Sequence, residues 1–421
     1  MKIKQIIGRE IFDSRGIPAL ECDLHIQDEA GHMYSVRAAV PSGISTGKYE
    51  AIELRDGGKR LAGKGLNKAI ENLQDVIGPA IIGKEPDIVT MDSKIIELDG
   101  TENKSKLGAN ATLAASFAIL RAQALANEME PYELIAGICG LDTIAIPIPM
   151  FNIINGGMHA PNELDFQEFM IIPAGQSNFR SAMESSLNVF YHLKAILQEK
   201  KLGTCIGDEG GFAPAIKDEK QALDLIMEAI EKSNNAEGSF VIGIDVAASR
   251  LYDPKTKKYI IGGKKYSSDQ LLKHYEKLIG SYPIMNIEDG FAEDDWEGWS
   301  ALAEKFGTEI QIVGDDLFTT NTARIFKGIE AQAANAVLIK PNQIGTVTET
   351  LQAMLACKEH DLSTIMSHRS GETNDTIIVD LAIGTVAGQI KAGGLTRGER
   401  LAKYNRMLRI EDQLTMQVMN S

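Results

Sequence analysis

Six short β-branched runs in the second half of the chain each end in a side chain that can do acid–base or ligand chemistry. They are Val241–Asp245, Ile284–Glu288, Ile310–Asp315, Ala336–Lys340, Thr364–His368 and Gly388–Lys391, and their last residues follow one another at intervals of 43, 27, 25, 28 and 23. One strand ending in Asp is ordinary, because an aspartate can cap the next helix. Lys340 and Lys391 cannot act as N-caps, so the set is read as a site. Asp245, Glu288 and Asp315 form a hard oxygen donor set with no cysteine, which suits Mg²⁺. The competing reading is a salt-bridge cluster with the two lysines, and it leaves buried negative charge that a cation would neutralise. A lysine beside a second ammonium and a divalent cation is expected to have a lowered pKa and to serve as a base. A Schiff-base role is the alternative, and it would need no metal.

Four further stretches add polar groups. Asp208-Glu-Gly-Gly-Phe212 follows a short predicted strand, Thr204–Gly207. Its glycines allow close backbone approach. Taken alone it could be a tight acidic turn, but beside a metal and a lysine base Glu209 becomes a candidate general acid. Asn155–Ala160 is a Gly-rich loop with His159, and Gln167-Glu-Phe169 is a short strand. A lone histidine is more often a structural hydrogen-bonder than a ligand. Ser367–Glu372 places Arg369 and Ser370 beside a glycine, a combination that suits a phosphate through a bidentate fork and a short donor. A serine-capped helix start is the plainer reading of that stretch.

Elements of regular spacing must hold these groups. Intervals near 25 residues fit consecutive βα units of a parallel barrel, whose catalytic residues sit at the C-terminal strand ends. Asp294–Phe306 and Val347–Cys357 carry helical stripes, through Trp296, Trp299, Leu302 and Phe306 and through Val347, Leu351, Met354 and Leu355. The first third differs. Residues 17–26 and 32–40 read as strands joined by Asp28-Glu-Ala-Gly31, and helices are expected over 65–77, 90–98 and 110–128. Between them Pro41–Gly47 has two glycines and no apolar period, and is expected to be a mobile loop. The fold class is therefore α/β, with an N-terminal α+β domain over 1–135 capping an eight-stranded α/β barrel over 136–421.

The chain has 421 residues, with 43 Lys+Arg against 58 Asp+Glu and a formal charge of −15. That balance argues against nucleic acid or an anionic membrane as the main partner. The N-terminus lacks the apolar core of a signal peptide. The least polar stretch, Ala109–Leu120, is too short to span a bilayer. Cys22, Cys139, Cys205 and Cys357 have no metal-binding spacing and are expected to be four buried thiols in a reducing compartment.

At these positions the chain resembles the enolase family, phosphopyruvate hydratases, in a bacterial-type form. The resemblance runs through Asp13–Gly16, Pro41–Gly47, Leu107–Asn110, His159, Gln167-Glu168, Gly207–Gly211, Ile287–Asp289, Gly314–Leu317, Leu338–Thr346, Ser367–Thr373 and Arg400–Asn405. It implies Mg²⁺-dependent, reversible dehydration of 2-phosphoglycerate to phosphoenolpyruvate in glycolysis and gluconeogenesis. Lys340 would remove the C2 proton, and Glu209, with Glu168 nearby, would protonate the departing C3 hydroxyl. Asp245, Glu288 and Asp315 would hold metal that stabilises an ene-diolate, a strategy general to such sites. Ser45 would ligate a second Mg²⁺ when the loop closes. Lys391 would help hold the substrate carboxylate, Arg369 and Ser370 the phosphate, with His159, Gln167 and His368 lining the site. Ile44, Pro161, Asn374 and Gly398 depart from the family pattern without removing a mapped group.

The resemblance also implies a cytoplasmic homodimer or higher homo-oligomer. It leaves open non-classical secretion or cell-surface display with secondary binding of host proteins. Two alternatives stand beside it. A sugar-acid dehydratase on the same barrel would not need the Arg369–Ser370 pair. A surface plasminogen binder that kept the fold would often rely on C-terminal lysines, whereas this chain ends Met419-Asn-Ser421.

Overall fold

The structure is a computed structural model; it describes residues 1–43, 46–235 and 238–420, without the side chains of 417–420. Ile44 and Ser45, the predicted loop departure and second metal ligand, lie outside the described residues. Strands β1 (Lys2–Phe12), β2 (Pro18–Gln27) and β3 (Met33–Ala39) form an antiparallel meander in that order. The two predicted runs are β2 and β3. They are linked through Asp28, whose carboxylate accepts the His32 N–H, and through Gly31 at φ +90°. β1 is a third strand, which polar Gln5, Arg9 and Glu10 conceal.

The first predicted helix is broken. A short helix, Asn67–Glu71, passes into a wider π turn, Asn72–Ile77, and then Gly78–Ile81. The second runs Ile88–Asp99; Asp87 accepts the Thr90 N–H at its start, and Gly100 at φ +66° ends it. The third, Ala109–Ala126, is buried around most of its circumference. It packs on β2 and β3 and reaches the loop that follows Lys340. Alanines at its surface permit that close approach.

Eight strands close into a barrel. In chain order they begin with β4 (Ile148–Asn155), β5 (Glu168–Ile172) and β6 (Val241–Asp245). After an inserted meander, β7 (Tyr252–Asp253), β8 (Lys258–Ile261) and β9 (Lys264–Tyr266), come β10 (Ile284–Glu288) and β11 (Gln311–Gly314). Then follow β12 (Ala336–Ile339), β13 (Ser363–Ser367) and β14 (Gln389–Lys391), which pairs back onto β4. The meander accounts for the long interval between Asp245 and Glu288.

Two expectations are corrected. The barrel is not wholly parallel, because β5 runs antiparallel to both β4 and β6. Residues 156–167 join β4 to β5 with only one helical turn, and without a crossover helix the chain must reverse. Thr204–Gly207 is not a strand: only Ile206 bridges, to Phe212, so Glu209 sits on a tight turn.

Met150, Met170, Ile172, Val313, Leu338 and Ile365 fill the barrel interior. The outer helices bury their predicted stripes; Trp299, Leu302, Phe306, Val347, Leu351 and Met354 are buried, while Trp296 and Leu355 are half-buried. All four cysteines are free, but only Cys22 and Cys357 are buried; Cys139 is partly covered and Cys205 is exposed, against the expectation of four buried thiols. Among the described residues no helix is long and apolar enough to cross a membrane.

Candidate active site

Strand register brings the carboxylates together. Glu168 on β5 pairs with Asp245 on β6, which pairs with Glu288 on β10. Adjacent strands lie about 4.8 Å apart, so three acids stand side by side at the barrel mouth. Lys391, from the end of β14, reaches across to them. Its Nζ lies 2.8 Å from both Glu288 oxygens, 3.0 Å from Glu168 Oε2 and 3.5 Å from Asp245 Oδ2. All four side chains are buried. Those carboxylates outweigh burial and hold the Lys391 ammonium well above its usual range.

Asp315 and Lys340 follow β11 and β12 and form a direct ion pair. Gln343 donates to the other Asp315 oxygen at 2.9 Å. Burial works against the Lys340 charge, but Asp315 overcomes it, so Lys340 is raised. A cation bound at Asp315 would take up that carboxylate's charge and release its hold on the Lys340 ammonium.

The predicted metal trio is split between two lysines. The tighter acidic knot is Asp289, Asp315 and Asp316, whose ligand atoms lie within 4.8 Å of one another. Asp289 accepts the Asp315 and Asp316 backbone N–H groups at 2.9 and 3.0 Å. Burial and then the neighbouring acids push Asp289 well up and Asp316 up to about 8. Burial and Asp245 push Glu288 up to about 8 as well. Buried acids that resist ionising together, with oxygen-only donors, are the chemistry a divalent hard cation relieves. The acidic residues of this mouth therefore fit a metal.

Glu209, on the turn between the helices Phe179–Glu199 and Glu219–Lys232, meets His159, Glu168 and Asn152. Asn152 Nδ2 donates to Glu209 Oε2 at 3.0 Å, and His159 Nδ1 lies 3.3 Å from the same oxygen. Burial opposes ionisation of Glu209, but the facing rings of His159 and His368 hold its pKa well down. Burial and then the Glu209 charge push Glu168 well up. Glu209 is held against β4 through Asn152, and β12, which Lys340 follows, lies three strands from β4 round the barrel, so Lys340 and Glu209 line one pocket from different walls.

The remaining predicted residues, His159, Gln167, His368, Arg369 and Ser370, line the same pocket. The Arg369 fork, predicted to hold phosphate, grips the Glu50 carboxylate at 2.8 and 3.2 Å, with Asn342 at 3.1 Å. Ser42 bridges Gly371 and ties the N-terminal segment to the same loop. Among the described residues, Gln167 Oε1 and His368 Nε2 are buried without a hydrogen-bond partner. Orphaned groups converging on one pocket mark a place for a ligand.

Sequence reasoning assigned no role to Asp289, Asp316, Asn152, Glu50 or Arg400. The doublets Glu288-Asp289 and Asp315-Asp316 were a visible signal for two of them. Asn152 lies in a strand whose apolar run conceals it, and Glu50 and Arg400 reach the site only through tertiary contacts.

Comparison with known proteins agrees with this geometry. Family models described as "Enolase, N-terminal domain" and "Enolase, C-terminal TIM barrel domain" match residues 3–135 and 143–420. An enolase from Solanum lycopersicum is 48% identical over 429 residues, covering 98% of this chain and 95% of that protein. With the acid-rich barrel mouth, two matched domains and near-complete coverage of a relative, the chain belongs to the enolase family and is a lyase, a phosphopyruvate hydratase.

Proposed function

We propose that the chain carries out the Mg²⁺-dependent, reversible dehydration of 2-phospho-D-glycerate to phosphoenolpyruvate, with two Mg²⁺ per site and Lys340 and Glu209 as base and acid. The observation that supports this reading is that Lys340 and Glu209 line one pocket from different strands of the barrel. Lys340 Nζ takes the C2 proton from one face. Glu209, with Glu168 nearby, protonates the C3 hydroxyl on the other, which favours departure as water. Lys391 meets the substrate carboxylate. Arg369 and Ser370 meet the phosphate, for which Glu50 is the present occupant of the Arg369 fork. His159, Gln167 and His368 supply polar contacts from the walls. Bound metal, held by Asp245, Glu288 and Asp315 and, for the second ion, Ser45, would stabilise the charge that gathers on the carboxylate. The Arg369–Ser370 pair favours a phosphorylated substrate over a plain sugar acid.

The N-terminal segment 1–135 is taken as the cap and 136–421 as the catalytic barrel; helix Pro131–Ile138, packed on Ile377–Gly384, runs through that junction. A bacterial-type, cytoplasmic homo-oligomer is the reading the sequence resemblance supports. Surface display and host-protein binding are held as secondary and carry no structural argument.

The test follows phosphoenolpyruvate absorbance after adding 2-phosphoglycerate, with and without a chelator and Mg²⁺ repletion. Wild-type turnover that is lost on chelation and restored by Mg²⁺ is expected. Lys340→Ala should abolish both turnover and exchange of the C2 proton with solvent. Glu209→Gln should stop dehydration while keeping that exchange. Full turnover in both variants would exclude these roles.

A further inference from the structure

Arg400 lies on the helix Gly398–Asn420 and is fully buried. Its guanidinium fans out under the site. Nη1 donates to His368 Nδ1 at 2.5 Å and to the Arg369 carbonyl at 2.6 Å. Nη2 donates to the Ser370 and Asp208 carbonyls at 2.7 and 3.0 Å. The His368 ring is further fixed at its backbone, where its N–H donates to the Lys391 carbonyl at 2.9 Å. The other ring nitrogen, Nε2, is buried, makes no hydrogen bond among the described residues and lies 3.7 Å from Glu209 Oε2.

A guanidinium has five N–H donors, no acceptor and no accessible deprotonated form. Nδ1 at hydrogen-bond distance from it must therefore offer its lone pair. A proton on Nδ1, in either the other neutral tautomer or the imidazolium, would face a cationic N–H at 2.5 Å. The single ring proton is left on Nε2.

We propose that Arg400 is a positioning residue that locks His368 in its neutral Nε2–H tautomer, so that the ring presents a hydrogen-bond donor beside Glu209. An oxygen leaving from C3 and gathering negative charge meets that donor. The other tautomer would present a lone pair and repel it. The same guanidinium also holds the carbonyls of residues 208, 369 and 370, so one side chain sets the ring, the acid loop and the phosphate loop together. The effect on turnover rests on the hydratase reading above; the tautomer itself does not.

The tautomer is read from two-bond ¹H–¹⁵N correlations on the full-length protein labelled with ¹⁵N-histidine, His368 being assigned by the pattern that disappears in His368→Gln. The expected wild-type spectrum has Nε2 protonated and Nδ1 bare. A protonated Nδ1 overturns the proposal whatever the kinetics show. In Arg400→Met, with the fold checked by circular dichroism, the Nδ1–H form should rise and kcat should fall roughly a hundredfold, the size seen when one such donor is lost. An unchanged tautomer in the folded variant also overturns it. Should that variant not fold, His368 itself decides. His368→Gln, whose amide can place an N–H near the Nε2 position, should keep kcat within about tenfold of wild type, whereas His368→Leu should lose roughly a hundredfold. Equal activity in those two variants refutes the donor role. A wild-type spectrum showing Nε2–H in a chain that does not turn over 2-phosphoglycerate supports the tautomer assignment and sinks the hydratase reading instead.

Discussion

Asp92 offers a quantitative test of how the two halves of the molecule are fastened. It lies fully buried on the helix Ile88–Asp99. One oxygen, Oδ2, accepts from Ser116 Oγ and from the Thr348 backbone N–H, both at 2.9 Å, while Ser116 Oγ accepts from the Val347 N–H at 2.9 Å. Two N–H groups that open the barrel helix Val347–Glu359 are thus satisfied by N-terminal side chains. Oδ1 has no partner. Burial is the main cause that pushes the Asp92 carboxyl up to about 6, with Glu349 adding and the Thr348 and Ser116 donors opposing.

A raised carboxyl pKa means that the folded state holds the proton more tightly than the unfolded state, whose value is near 3.8. This contribution to stability is therefore fullest below pH 4 and is lost as pH rises through 6. The loss is about 2 pKa units, or roughly 3 kcal/mol, with about half in place by pH 5 and the rest by pH 7.5. Asp92→Asn keeps one acceptor oxygen and removes the titration. Urea unfolding of both proteins at pH 5 and pH 7.5 reads the effect as a double difference, in which other titrating groups cancel. The variant should gain roughly 1–2 kcal/mol on the wild type between the two pH values. A stability difference that is flat with pH, or that moves against the variant, would refute a buried and poorly solvated Asp92.

Two further outcomes are expected. Gly156→Ala should cost about 1–3 kcal/mol and reduce activity, because its Cβ would stand 2.4 Å from the Phe166 carbonyl oxygen and 2.5 Å from Leu164 Cβ, displacing the turn that carries His159; thermal unfolding and turnover check it. Among the thiols, Cys205 should react quickly with a thiol reagent in the native protein, while Cys22 and Cys357 should wait for unfolding, since burial pushes Cys357 up to about 12 and Cys22 higher still; timed labelling followed by peptide mapping distinguishes them.

The barrel was legible because each of its six predicted strands is short, β-branched and polar at its end. A strand that stops at Asp245 or Lys340 must place that side chain at the mouth. The antiparallel β5 was not legible, because Glu168–Ile172 has the same apolar composition as its parallel neighbours, and direction depends on how the preceding loop travels. The strand expected at Thr204–Gly207 failed for a related reason: β propensity without a neighbour to pair with yields a single bridge.

By itself the sequence determined which chemistry was available: three strand-end acids, two lysines, a histidine and an arginine, delivered at a βα period. That much follows from covalent order and from side-chain type. Only the tertiary structure decided which charge faces which. Lys391 lies among Glu168, Asp245 and Glu288, Lys340 pairs with Asp315, and the Arg400 guanidinium lies against His368 Nδ1. These pairings are set by strand register, by closure of the barrel and by helices that return from distant parts of the chain. Electrostatic energies at 3 Å in a buried pocket depend on those distances, which no local pattern encodes.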